Sequence, residues 1–238
     1  MKVFLAGASG AIGRRLTPLL LAVGHQITGI TRSPATARNL EAAGVHAAVV
    51  DVFDADALKR AMTDARPEIV IHQLTDLPRV FDEAQLAASY PRNARIRIEG
   101  TRNLIAAAHA AVARRFIVQS VAFAYAPGKE PNAETDPLNV IDGPRLVTVR
   151  AAADMEQQVL ESGMEAIVLR YGLLYGPGAW TDGPSRKPPL HVDAAAQAAL
   201  LAITRGHTGI YNIADDDGTV SIEKARRELG FDPAFRLD

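Results

Sequence analysis

The sequence predicts an α/β fold, a doubly wound parallel sheet of about seven strands, on three observations. Short β-branched or apolar runs alternate with longer Ala-, Leu- and Arg-rich stretches along the chain. A glycine-rich turn follows the first apolar run directly. The 238 residues, 48% of them hydrophobic, suffice for one well-buried core and are few for two. We therefore expect a single domain over residues 1–238, with residues 175–238 contributing a small, reduced C-terminal cap.

The expected strands run Lys2 to Ala6, Gln26 to Thr31, Ala47 to Asp51, Ile69 to His72, Arg115 to Ser120, Ala166 to Arg170 and Ile210 to Ile213. Helices are expected to begin near Ala11, Pro34, Ala55, Pro91, Arg150, Val192 and Ser221. Ser33 caps free amides ahead of Pro34, whose missing N–H costs nothing at the first helical position, and Asp54 does the same before Ala55. Gly24, Gly44, Gly163 and Gly230 fall where helices should stop. The stretch from Tyr175 to Pro189 reads as a loop. Asp215-Asp216-Asp217-Gly218 reads as a solvated turn, because no further ligands stand at calcium-loop spacing.

A net charge of −1 gives no global field toward nucleic acid or anionic membrane, so neither is an expected partner. The absence of cysteine excludes disulfides, thiolate metal sites and cysteine nucleophiles. No metal site is predicted. The chain enters its first strand at once and has no apolar run near the roughly 18 residues of a membrane span, so a cytoplasmic location is expected.

Gly7-Ala8-Ser9-Gly10-Ala11-Ile12-Gly13 joins the first strand to a helix with G-x-x-G-x-x-G spacing. In that context Gly7 allows the tight turn, Gly10 lets the backbone approach a pyrophosphate, and Gly13 allows close packing. The helix N-terminus, with Ser9, Ala11 and Ile12, then receives the phosphates. This predicts a Rossmann-like dinucleotide site. The second strand ends Ile30-Thr31-Arg32-Ser33, with no Asp or Glu for a ribose 2′-hydroxyl. Thr31, Arg32 and Ser33 offer hydroxyls and a guanidinium to a 2′-phosphate, so NADP(H) is the expected cofactor. Asp51 and Val52 are placed to meet adenine; Gln73, Leu74 and Thr75 border the ribose and nicotinamide. His72 is expected to be a satisfied strand-end histidine.

Together with this turn, Glu99-Gly100-Thr101-Arg102-Asn103-Leu104, Phe116-Ile117-Val118-Gln119-Ser120, the run Leu169 to Gly178, His191-Val192-Asp193, Tyr211-Asn212-Ile213 and Lys224 to Pro233 resemble the extended or atypical short-chain dehydrogenases/reductases. That superfamily contains sugar-nucleotide epimerases and dehydratases, and the resemblance covers nearly the whole chain. It implies that Tyr171, Gly172, Leu173 and Leu174 line the nicotinamide. It also implies a Tyr acid/base with a Lys four residues on, the cation lowering the phenol's pKa. Aligned on Glu156, those positions hold Thr148 and Ala152, and no Lys or Tyr stands between Glu130 and Glu161.

On the fifth strand, alignment on Tyr125 puts the orienting hydroxyl at Val121, with Ser120 one place earlier. Tyr125-Ala126-Pro127-Gly128-Lys129 has the literal spacing, but Pro127 and Gly128 oppose a helical turn. Tyr125 either lines the floor of a substrate cleft or packs in the core. The candidate catalytic residues are Ser120, Tyr125 and Thr148. His191 and Asp193, at the start of a helix, are expected to serve in capping and cleft-wall packing.

These readings point to an NADPH-dependent reductase that transfers hydride to a carbonyl of a small or polycyclic substrate, polyketide-like aromatics included. Its proton would come from water, from a Ser120 or Thr148 relay, or from the substrate's own phenol. Two readings stand beside it: a non-catalytic NADP(H)-binding sensor, and a sugar-nucleotide epimerase or dehydratase. The partner is a small molecule, and the chain is read as a monomer or homodimer.

Overall fold

A computed structural model describes residues 1–78, 80–141, 143 and 145–237. Seven parallel strands form one sheet: β1 (Lys2–Ala6), β2 (Gln26–Thr31), β3 (His46–Val49), β4 (Ile69–His72), β5 (Arg115–Val121), β6 (Glu165–Tyr171) and, last in the chain, β9 (Gly209–Ile213). Their order is β3-β2-β1-β4-β5-β6-β9. The chain winds outward from β1 in both directions, so a crevice opens between β1 and β4 at the carboxyl ends of the strands, where doubly wound sheets bind ligands. Two short strands, β7 (Leu173–Tyr175) and β8 (Pro189–His191), pair in parallel as a separate sheet at the two ends of the stretch expected to be loop.

Strand alternation divides the core. Val3 and Leu5, with Ile69, Ile71 and Ile117, face one helical layer, built from α1 (Ala11–Ala22), α2 (Pro34–Ala42), α7 (Val192–Leu201) and α8 (Glu223–Leu229). Phe4, Val70, Phe116 and Val118 face the other, which contains α3 (Ala55–Ala65), α5 (Thr101–Ala110) and α6 (Leu146–Leu160). Both faces of the central strands are covered, so β1 and β4 are almost wholly apolar, while the edge strand β3 is partly exposed.

Caps explain most boundaries. Ser33 Oγ accepts from the Thr36 amide and Asp54 Oδ1 from the Ala57 amide, at 3.3 and 2.9 Å. Gly24, Gly44, Gly163 and Gly230 all have positive φ just past their helices. Three helices differ from expectation. α4 (Glu83–Arg95) starts two turns before Pro91, because Asp82 caps it through the Gln85 amide at 2.7 Å and Pro91 is absorbed in its interior. α6 begins at Leu146, ahead of Arg150; burial of Val149 and Ala152 outweighs the low helix propensity of its β-branched first turn. α8 begins at Glu223, two residues after Ser221. β3 also ends at Val49, two residues before Asp51.

Between α4 and α5 lies a π-helical turn, Ile96–Gly100, flanked by right-handed helical residues, so Glu83 to Ala110 is one continuous rod. Among the described residues no helix is long and apolar enough to cross a membrane.

Candidate active site

The turn after β1 is closed by its own backbone. Gly7 has φ +103°, and a Cβ there would lie 2.6 Å from the Gln73 carbonyl oxygen; one on Gly13 would lie 2.2 Å from that of Gly7. Gly10 is different: a Cβ would meet only the Gly7 carbonyl, at 3.3 Å. The space beyond Gly10 opens into a cavity of about 530 Å³. α1 begins there with Gly10 as N-cap, no side-chain cap and no acidic residue in its first turn. Free amides, positive dipole and absent Cβ fit a pyrophosphate. Asp193 fixes the other face of this helix through Arg15 Nε, and its second carboxylate oxygen accepts the Leu237 amide at 3.1 Å. His191 caps α7, with Nδ1 accepting from the Asp193 amide at 3.2 Å.

The cavity brings together Ser9, Gly10, Ala11, Ile12 and Gly13 with Gln73, Thr75, Ser120 and Thr148, and with Tyr171, Gly172, Leu173 and Leu174. Thr31, Arg32, Ser33, Asp51 and Val52 are not part of its wall. Thr31 Oγ1 accepts the Ser33 amide at 3.1 Å and Asp51 Oδ1 the Phe53 amide at 3.0 Å, so both shape their loops. Arg32 is exposed and makes no hydrogen bond or ion pair among the described residues. Val52 is buried, and Leu74 packs against the same core cluster.

His72 is fully buried. It accepts the Leu74 amide at Nδ1 and meets Thr101 Oγ1 through Nε2 at 3.1 Å; burial and the charge of Arg97 lower its pKa to about 3. It is a neutral structural residue. Gln73 donates to the Tyr171 hydroxyl at 3.3 Å, and that hydroxyl donates to the Ala195 carbonyl at 3.2 Å. Burial raises the Tyr171 pKa, so this phenol keeps its proton. Among the described residues, two buried cavity-wall atoms have no hydrogen-bond partner: Gln73 Oε1 and Thr148 Oγ1.

Ser120 and Val121 both reach the cavity, because β5 ends there. The Ser120 hydroxyl is already engaged, donating to Glu156 Oε1. Glu156 is held by Arg170 in a two-pronged pair, and Arg170 Nη1 donates to the Tyr125 hydroxyl at 2.9 Å. Tyr125 donates to Asn212 Oδ1 at 2.6 Å. Its ring packs against buried core rather than the cavity, so of the two expected roles for Tyr125 the structure has core packing. Residues 125–129 are not helical, and Tyr125 and Lys129 share no helical turn.

Ala152 is completely buried among Val121, Ala124, Leu138 and Val149. A lysine would not fit there without displacing them. Asp215 accepts from the Tyr175 hydroxyl at 2.8 Å, Asp216 pairs with Arg226, and Asp217 accepts from Thr219, which makes this acidic run a structured turn.

Sequence reading missed four cavity arginines: Arg14, Arg97, Arg145 and Arg186. Arg97, on the π turn, donates to the Thr148 carbonyl at 2.8 Å; burial, partly offset by the charge of Glu156, lowers its pKa to about 10. Arg145 lies over the Phe123 ring at 5.2 Å, and Arg186 over Phe81 and Trp180 at 5.3 and 5.8 Å. Isolated arginines carry no motif, so only the fold reveals their convergence.

The crossover order, the glycine cradle and the cavity define a nicotinamide-dinucleotide-binding α/β protein. The sequence profile of the NAD dependent epimerase/dehydratase family matches residues 3–189, and the chain belongs to that family. It is 38% identical over 239 residues to a 3-diazoavenalumate denitrifying reductase from Streptomyces, covering 91% of this chain and 77% of the relative. Its fold is similar to UDP-glucose 4-epimerase of Thermotoga maritima, solved with UDP-glucose: TM-score 0.80, 19% identity, 99% of this chain and 94% of the other. UDP-glucose 4-epimerase of Thermus thermophilus, in complex with NAD, matches with TM-score 0.72 and 22% identity over 98% and 85% of the two chains. This chain is thus an oxidoreductase of the epimerase/dehydratase family.

Proposed function

We propose that the chain is an NADPH-dependent reductase whose acceptor takes up hydride without a proton from the protein. The carrying observation is on α6 and β5. The position where the resemblance implies a phenol holds Thr148, the position of its cation is the buried Ala152, and the Ser120 proton is committed to Glu156.

A bound nicotinamide dinucleotide supplies the hydride. The glycine cradle and the α1 N-terminus bind its phosphates, and the unpaired Arg32 favours a 2′-phosphate. Gln73, Tyr171, Gly172 and Leu173 orient and shield the reacting end, with residues beyond Tyr175 as a small cap.

General acid help is typically worth about 10²- to 10⁴-fold in rate, so the acceptor must do without it or bring its own. A diazonium arene does without: gain of hydride and loss of dinitrogen replace C–N by C–H, and no further proton is consumed. The Streptomyces relative, named for denitrifying a diazo acid, supports that class. A ketone beside a phenol is the second reading, favoured by the partnerless Thr148 hydroxyl as a relay.

The test follows NADPH oxidation with an arenediazonium salt, a plain aryl ketone and its ortho-hydroxy analogue. Turnover of the diazonium with the plain ketone inert supports the proposal. Equal rates for the two ketones sink the substrate-assisted version, and tight NADPH binding with no turnover anywhere favours the sensor.

A further inference from the structure

Among the described residues, the cavity wall holds four arginines and no aspartate or glutamate, in a chain whose net charge is −1. Among the described residues, Arg97, Arg145 and Arg186 have no carboxylate partner. Arg15, Arg92, Arg95, Arg114, Arg115, Arg170, Arg226 and Arg227 each have one, whereas exposed arginines outside the cavity, such as Arg32, Arg38 and Arg60, do not.

The start of α6 concentrates this imbalance. Arg145 is its N-cap residue, with no side-chain cap and no acid in the first turn, which sets a cation on the positive end of a helix dipole. Arg97 arrives from the π turn and bonds the Thr148 carbonyl in that same first turn, adding a second cation. Thr148 is only 7% exposed, lines the cavity, and its hydroxyl has no partner. The buried charge of Glu156 offsets Arg97 only in part, and two guanidiniums beside a helix N-terminus and an unpartnered hydroxyl leave a place that an anion would complete. Arg14, by contrast, sits at the dinucleotide end, donating to the Ser9 carbonyl at 3.2 Å.

Two aromatic rings, Phe123 and Trp180, line the same cavity. Phe123 lies beneath Arg145, and Trp180, edge-on to Phe81 at 5.5 Å, is backed by Arg186. Trp180 is itself anchored by its indole N–H to the Pro78 carbonyl at 2.8 Å.

We propose that the substrate is a planar aromatic or conjugated carboxylate, its carboxylate received by Arg97, Arg145 and the Thr148 hydroxyl at the start of α6, and its ring laid between Phe123 and Trp180. This rests on the reductase reading for what happens to the substrate, but recognition of the acid is separate from turnover.

The test is calorimetric titration of the dinucleotide-loaded protein, with NADP⁺ and in parallel NAD⁺, using cinnamate and its neutral isostere cinnamamide as probes. Trp180, the single tryptophan, reports contact through its fluorescence. Cinnamate is expected to bind about tenfold or more tightly than the amide. Arg145→Gln and Thr148→Val should weaken the acid while leaving the amide unchanged; Arg145 is half-buried at a helix end, so its variant tests the site even if Arg97→Gln fails to fold. Equal binding of acid and amide, or unchanged acid affinity in Arg145→Gln, overturns the proposal. Tighter binding of uridine diphosphate than of cinnamate, lost in the same variant, overturns it in favour of a diphosphate subsite. Selective acid binding with every acceptor inert upholds it and sinks the reductase reading alone.

Discussion

Arg170 grips Glu156 through both carboxylate oxygens, Nε to Oε1 at 2.9 Å and Nη2 to Oε2 at 2.7 Å, with both side chains 5% exposed. Burial works against the Arg170 charge, but these bonds outweigh it and raise its pKa. Removing one member strands the other. Arg170→Met should cost about 3–5 kcal/mol in urea unfolding, and adding Glu156→Leu should recover part of the loss. A single variant as stable as the parent would contradict this.

Tyr125→Phe separates core from chemistry. It removes the bonds to Arg170 and Asn212, worth about 1–3 kcal/mol because one partner is charged. Unfolding should register that loss while kcat with any accepted substrate stays within about twofold of the parent. A drop in kcat by orders of magnitude would restore the phenol to the reaction.

Gly10→Ala and Gly13→Ala should part company. A Cβ on Gly13 would meet the Gly7 and Ala8 carbonyl oxygens at 2.2 and 2.6 Å, so this variant should lose about 1–3 kcal/mol of stability along with binding. Gly10→Ala leaves its nearest contact at 3.3 Å and should keep stability while weakening the dinucleotide. Parallel titrations of melting temperature and NADPH affinity would tell them apart.

Arg32→Ala addresses cofactor choice. The side chain is exposed and has no hydrogen bond or ion pair among the described residues, so stability should hold, while the preference for NADPH over NADH should fall about tenfold or more. The parent's preference should also weaken with added salt. Identical affinity ratios in variant and parent would place the 2′-phosphate elsewhere.

His72 predicts an acid limb. Its pKa falls from 6.5 to about 3 on folding, so between those values the unfolded chain holds a proton that the folded chain refuses. Stability should therefore decline as pH drops below 6.5, by up to about 1.4 kcal/mol per unit from this residue, and be unaffected above it. His72→Asn should flatten the limb. An equally steep limb in the variant would mean other groups cause it.

Much of this architecture was legible because it is local. The cradle, the caps at Ser33 and Asp54 and the glycine stops each follow from a few adjacent residues. α4 was misplaced because Pro91 resembles a first-turn proline, whereas Asp82, two turns earlier, is the real cap. β7 and β8 are only three residues each and exist through pairing across the chain. The cavity chemistry was least visible. Ser120 finds Glu156 across 36 positions, and Arg97 reaches Thr148 across 51. No spacing rule covers such distances, and the Ser120 and Tyr125 hydroxyls look available until Glu156, Arg170 and Asn212 are in place.

The π turn at Ile96–Gly100 sets the angular indexing of the long rod. One surplus residue is wound into the rod there, and Arg97 owes its heading to it. Excising a single residue would relax the turn to ordinary α-helix and swing everything on one side through roughly 100° relative to the other. Arg97 and the Thr101 hydroxyl that meets His72 would then fall out of phase. Charge in the cavity and order beneath β4 are geared to the same notch, so neither can be re-aimed without moving the other.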